Sequence, residues 1–210
     1  MEIDRAKQWM LASTERRPLQ RRGLPGPWRE ALRLGDGREL LLRPIAAADA
    51  APMRAGFELL SAEEIRMRFL HPMRELPPTM ASRLANPTPK REFALVVAEP
   101  LPPGEALIGA VVRASIDAQG RHAEFAILVW RFLSRLGLGR LLMKRVIRWA
   151  KLKKLETLYG DVLDENVAML RLAESLGFRR EHHDGDPGIT RIVLRLRPRP
   201  DTPDLHSATG

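Results

Sequence analysis

"RFLSRLGLGRLL", residues 131–142, sets glycines at 137 and 139, flanks them with Arg135 and Arg140, and runs on into a helical periodicity. Glycine lets a backbone approach a ligand closely, and the first N–H groups of a helix have no partner of their own. Such a turn between a strand and a helix is suited to an anion. Upstream, "EFALVVAE" (92–99), "ALIGAVVRASID" (106–117) and "AEFAILVW" (123–130) are rich in β-formers and separated by "PLPPG" and "DAQG", which predicts a three-strand meander. Downstream, Leu138, Leu141, Leu142, Val146, Trp149 and Ala150 share one helical face, with Lys144, Arg145, Arg148 and Lys151 on the other.

Farther out, "RELLLRPI" (38–45) reads as a strand. Two helices follow over 46–60 and 61–70, the second opened by a capping box from Ser61 to Glu64, and the proline-rich "HPMRELPPT" ends that pair. "ETLYGDVL" (156–163) reads as a strand, "ENVAMLRLAESLGF" (165–178) as a helix stopped by Gly177, and "GITRIVLRLRP" (188–198) as a closing strand. Before all of these come a short helix around Trp9 and Met10 and the loop-forming "RRPLQRRGLPGPW" (16–28). This order predicts an α/β or α+β domain over 37–198, preceded by a basic extension (1–36) and followed by a disordered tail (199–210).

Composition narrows the chemistry. The 210 residues, 44% of them hydrophobic, suit one core with extensions. The absence of cysteine rules out disulfides, zinc–thiolate centres and a cysteine acyl-enzyme, and suits a reducing compartment. No apolar run reaches membrane-spanning length and the N-terminus is not that of a signal peptide, so a cytoplasmic location is expected. The net charge of +9 favours polyanionic partners, phosphorylated cofactors among them.

Three glycine-rich cradles compete for the 131–142 turn. A P-loop needs G-x-x-x-x-G-K-[ST], and neither that spacing nor the lysine is present. A dinucleotide-binding turn needs a small residue where Leu142 stands and a glycine directly after the strand, yet residues 131–136 intervene. The acetyl-CoA turn, in which successive backbone amides wrap the coenzyme's pyrophosphate between strand and helix, matches.

The motif "SRLGLG" resembles the [QR]-x-x-G-x-[GA] signature of the Gcn5-related N-acetyltransferases (GNAT), with Ser134 where that family usually has Gln or Arg. "LLLRPIAAADA" is similar to the family's first strand and turn, and "LDENVAMLRLAESLGF" to its second signature, so the resemblance covers about residues 40–197. Within the family, "LSAEEIRMRFL" and "AEFAILV" look most like the catalytic domain of bacterial Pat-type protein lysine acetyltransferases. The resemblance implies a mixed, mostly antiparallel sheet flanked by helices and splayed between the family's fourth and fifth strands. It implies a coenzyme site built from Leu128, Val129 and Trp130 on the central strand, from Ser134, Arg135, Leu136, Gly137, Leu138, Gly139 and Arg140 at the turn, and from Asn166.

It also implies the reaction, transfer of an acetyl group from acetyl-CoA to an amine, above all a lysine Nε of a protein, with an acyl-CoA synthetase as the family-based partner. A lysine is protonated at neutral pH, so a base is needed, and Glu124 in "AEFA" takes that role by resemblance. Strand alternation turns it away from Phe125. The tyrosine that protonates the leaving thiolate in many relatives is replaced by Ala173, and Tyr159, the only tyrosine, falls inside a strand, where packing is expected. Water is then the proton source, and a backbone N–H between Leu128 and Trp130 is expected to meet the oxyanion.

Acetylation of a small amine and a catalytically weak acyl-CoA-binding module stand as alternatives. "EHHDGD" (181–186) lacks a separated ligand pair, so no metal is expected. "KRVIRWAKLKK" (144–154) reads as a solvated helix face rather than a nucleic-acid footprint, and Arg68, weighed as a contact to the substrate or the coenzyme tail, is left out as an ordinary surface arginine on a helix. Only about 36 residues precede the first predicted strand, too few for the regulatory domain that Pat-type relatives often carry.

Overall fold

The computed structural model describes residues 19–182 and 186–197. The predicted helix around Trp9 and the C-terminal tail lie outside them.

One nine-stranded sheet carries the molecule. In chain order its strands and helices are β1 (Gln20–Gly23), β2 (Glu30–Arg33), β3 (Glu39–Pro44), α1 (Ala50–Phe57), α2 (Ala62–Phe69), α3 (Pro78–Ala85), β4 (Glu92–Ala98), β5 (Ile108–Ile116), β6 (His122–Val129), α4 (Leu138–Leu152), β7 (Thr157–Leu163), α5 (Val167–Glu174), β8 (Arg179–His182) and β9 (Ile189–Arg195). The spatial order runs β1 to β7, then β9 and β8. Every neighbouring pair is antiparallel except β6 and β7. This is the mixed, mostly antiparallel architecture that the family resemblance implies, within the α/β or α+β class read from the order of elements.

Alternation along the central strands sorts side chains between two layers. Ala110, Val112 and Ala114 of β5 and Ala123 and Phe125 of β6 join the large core under α4, with Leu142, Val146 and Trp149. The opposite face of the sheet packs against α1, α2 and α3 through two smaller clusters, around Val96 and Phe57. The helix periodicity read for α4 matches its buried residues, to which Met143 is added.

The stretch read as a loop over 16–28 is corrected in part: residues 20–23 form β1, and β2, also unforeseen, pairs it to β3. All four β1 residues are exposed, so the strand has no alternation to read; it is held by backbone pairing and by the Arg21–Glu30 ion pair at 2.8 Å. β2 contributes Leu32 to the core, and Trp28 meets Phe93 edge-on at 5.1 Å, which in turn stacks on Trp149 at 5.2 Å. α3 was also unread, because its prolines look like a terminator. Pro78 instead occupies the first turn, where a missing N–H costs nothing. β8 claims Glu181 and His182 from the segment read as a loop.

Candidate active site

After β6 the chain makes a short 3-10 turn over Arg131–Leu133, anchored by the fully buried Leu133. Arg135 and Gly137 then take left-handed φ values of 63° and 85°. These reverse the chain and start α4 at Leu138, with Gly137 as its N-cap. The first backbone bond of the helix runs from the Leu141 N–H to the Gly137 carbonyl at 3.0 Å. None of the six amides from Arg135 to Arg140 donates to a backbone carbonyl. A Cβ on Gly137 would meet nothing within 4 Å, so the cradle is open where those amides gather. Consecutive free N–H groups at the positive end of a helix dipole suit a phosphate or diphosphate. Leu136 and Leu138 pack their side chains on the core, so only their amides are on offer. Arg140 donates to the Ser175 hydroxyl at 2.7 Å, while the Arg135 side chain is exposed.

The turn opens onto a gap in the sheet. β6 and β7 pair in register only from His122–Thr157 to Glu124–Tyr159, and diverge beyond. Gly160 lies at the fork, where a Cβ would come within 3.0 Å of the Phe125 carbonyl oxygen. The Trp130 N–H donates to the Gly109 carbonyl of the strand-β5 side at 3.1 Å. By the alternation of an antiparallel ladder the Leu128 amide also faces β5, while the amides of Ile127 and Val129 face the gap. Of the three strand residues named from sequence, only Val129 therefore turns its N–H to the opening, and Ile127 joins it. That distinction needs the β5 register, which no local pattern carries.

A channel of about 350 Å³ fills the gap. It brings together Leu128, Val129, Ser134, Arg135, Gly139 and Asn166 of the residues read from sequence. Trp130 instead lines a narrower apolar cavity of about 50 Å³ alongside, which shares Leu128 and Arg68 with the channel. Asn166 caps α5, its Oδ1 accepting the Met169 N–H at 3.1 Å. From the other bank α2 adds Glu64, which accepts the Arg131 N–H at 3.0 Å, and Arg68, passed over in the sequence as a surface group. An ion pair from Arg66 of α2 to Glu165, ahead of α5, links the two banks.

Glu124 is exposed on β6, between Ser115 of β5 and Tyr159 of β7 in register. It lies on the α1–α3 face, as does Leu128 farther along. Tyr159 is half-buried beside it, with the Arg191 guanidinium 4.9 Å from its ring centre, and Arg191 grips Asp161 through two bonds of 2.8 Å. Burial, then the Glu124 charge, push the Tyr159 phenol up, so it stays protonated at neutral pH. Burial, then the like charge of Arg113, pull Arg68 down to about 10, against the opposing pull of Glu124. Arg68 is thus still cationic at neutral pH. Ala173 is fully buried, so no proton donor stands at that place.

No group of three or more His, Asp or Glu side chains suited to a metal occurs among the described residues; His183 and Asp184 lie outside them. The basic face of α4 is partly engaged, Arg148 over the Trp28 ring and Arg145 on Glu30.

The sequence profile of the acetyltransferase (GNAT) domain matches residues 39–179. Acetyltransferase PA5475 of Pseudomonas aeruginosa is 28% identical over 169 residues, which span 80% of this chain and 89% of that protein. The crystal structure of the GNAT domain of S. lividans PAT superposes with a TM-score of 0.69 at 23% identity, covering 82% of this chain and 99% of that domain. Spermidine N-acetyltransferase from Vibrio cholerae, solved with CoA and spermine, has a TM-score of 0.58 at 20% identity, over 75% of this chain and 95% of its own.

Proposed function

The chain belongs to the acetyltransferase (GNAT) family, and from that premise we propose that it transfers the acetyl group of acetyl-CoA directly to an amine, foremost the Nε of a lysine in a protein substrate. The observation that carries the reading is the run of six free amides over residues 135–140 opening into the β6–β7 gap. Those amides would hold the coenzyme's diphosphate, with Ser134, Arg135 and Arg140 at the rim. Its pantetheine arm would lie in the channel beside Leu128, Val129 and Asn166, and the thioester would point toward Glu124.

Glu124 then takes a proton from the incoming ammonium, directly or through water, freeing the lone pair that attacks the thioester carbon. The amides of Ile127 and Val129 would donate to the carbonyl oxygen as it gains charge. With Ala173 at the place of the usual acid, solvent protonates the departing thiolate, a tolerable leaving group because thiols have pKa values near 8.5. The catalytic unit on this reading is 37–198, with β1 and β2 extending its sheet edge.

The protein-lysine assignment, and with it the Pat-type resemblance, is supported by the "LSAEEIRMRFL" motif and by the fold shared with the S. lividans PAT domain. A polyamine acceptor is disfavoured by Arg68 and Arg113, two guanidiniums beside the face where the amine must arrive. An acyl-CoA synthetase is the first protein substrate to try. The deciding experiment incubates the pure protein and labelled acetyl-CoA with a native proteome and maps modified lysines. Glu124→Gln should lower turnover by about 10²–10⁴-fold with coenzyme affinity unchanged, and an unaltered rate would remove Glu124 as base. A weak acyl-CoA-binding module would show coenzyme binding but no hydrolysis-corrected transfer to any amine.

A further inference from the structure

Arg68 of α2 is half-buried, and its guanidinium rests 4.8 Å from the centre of the Phe69 ring. No hydrogen-bond acceptor or ion-pair partner of the Arg68 guanidinium is present among the described residues. Its nitrogens nevertheless stay reachable, because Arg43 Nε is the one fully buried unpaired side-chain nitrogen or oxygen among those residues. A guanidinium carries five N–H donors in a rigid fork, and such a cation against apolar surfaces is costly unless an anion meets it. The cavity it borders is apolar elsewhere, with Met53, Phe57 and Leu60 among its walls, and it holds a second guanidinium, Arg113. Arg113 is already engaged, by the Leu84 carbonyl and by Glu92 at 3.5 Å. Arg68 is not.

We propose that Arg68 receives a carboxylate carried by the acyl acceptor, at the junction of the channel and the apolar cavity. The identity of the occupant as an acceptor rests on the acetyl-transfer reading given above. The coenzyme's phosphates have their own amides at residues 135–140, whereas Arg68 and Glu124 lie on the same side of the sheet, where an amine must approach. The fork takes two carboxylate oxygens side by side. The cavity, about 50 Å³, has room for about three water-sized groups, so the acceptor carries a short apolar group near its carboxylate. Two sources supply that chemistry: an Asp or Glu flanking the lysine of a protein segment, or the α-carboxylate of a small apolar amino acid.

Two acceptor pairs separate them, acetyl-Glu-Lys-amide against acetyl-Gln-Lys-amide, and leucine against leucinamide. Each is titrated calorimetrically onto the protein–CoA complex and assayed for transfer. The wild type should bind the carboxylate member of at least one pair about ten-fold more tightly, and that pair names the source. Arg68→Gln should erase the difference, and Arg68→Lys should restore part of it, with the affinity for CoA within two-fold throughout. Equal binding of both members of both pairs, or Arg68→Gln weakening CoA instead, overturns the proposal. Discrimination in binding without transfer to any amine would leave the carboxylate subsite standing and sink the acetyl-transfer reading.

Discussion

Gly137 and Gly160 do different work at the two ends of the gap. Gly137 has φ 85° and open space around its Cβ position, so Gly137→Ala meets backbone strain and no clash. We expect it to cost about 1–2 kcal/mol of stability and to weaken coenzyme binding about ten-fold or more, since the methyl group would stand among the free amides. Calorimetric CoA titration and denaturant unfolding check both. Gly160 is constrained by space alone, and Gly160→Ala should destabilise by about 1–3 kcal/mol as strand β7 is forced off Phe125, measured the same way. The first glycine was legible because its neighbours spell a turn. The second sits in an ordinary strand pattern, and its reason to be glycine is a residue 35 positions away. Glu124 was nominated by resemblance, while its neighbours Tyr159 and Arg191 became visible only when three strands were set in register.

Among the elements, α2 is the one whose sequence says most about its own start. The Ser61 hydroxyl accepts the Glu64 N–H at 3.1 Å, and the Glu64 carboxylate accepts the Ser61 N–H at 2.9 Å, as the S-x-x-E spacing predicts. Ser61→Ala should cost about 1 kcal/mol. Because the same helix carries Arg68, we expect the loss to appear in the KM for the acceptor more than in that for the coenzyme, a split that steady-state kinetics resolves. Two of the elements that escaped the sequence, β1 and β8, share a physical cause. β1 and β8 are exposed along their whole length and sit at the two edges of the sheet, so their strands are specified by a partner's backbone rather than by any periodicity. Helices and inner strands bury a face and write it into their spacing. Edges do not.

For the molecule as a whole, the β3–α1 corner is fixed by a buried ion pair. Arg43 meets Asp49 through two bonds of 2.6 and 2.8 Å, both side chains nearly inaccessible, and Asp49 also accepts the Ala46 N–H at 2.8 Å. Burial pulls the Asp49 carboxyl upward, but the Arg43 hydrogen bonds and charge, with the backbone amides, outweigh it and hold it below 3.8. A depressed carboxyl stabilises the fold above its unfolded pKa and loses that contribution as pH falls below about 4. Asp49→Asn should therefore destabilise the protein by about 3–5 kcal/mol at neutral pH, leave Arg43 uncompensated, and flatten the acid limb of the stability curve followed by circular dichroism. The corner's residues were legible as a strand and turn, but their pairing is side-chain geometry that spacing does not encode.

The brief β6–β7 pairing gives the sheet a crease. On one side lie six strands, on the other three, and within the sheet only a three-residue seam sews the plates together. Whatever occupies the cleft also acts as mortar between them. A ligand there stiffens the flexing of plate against plate, so the loaded protein would resist mechanical unzipping along that seam at higher force than the empty one.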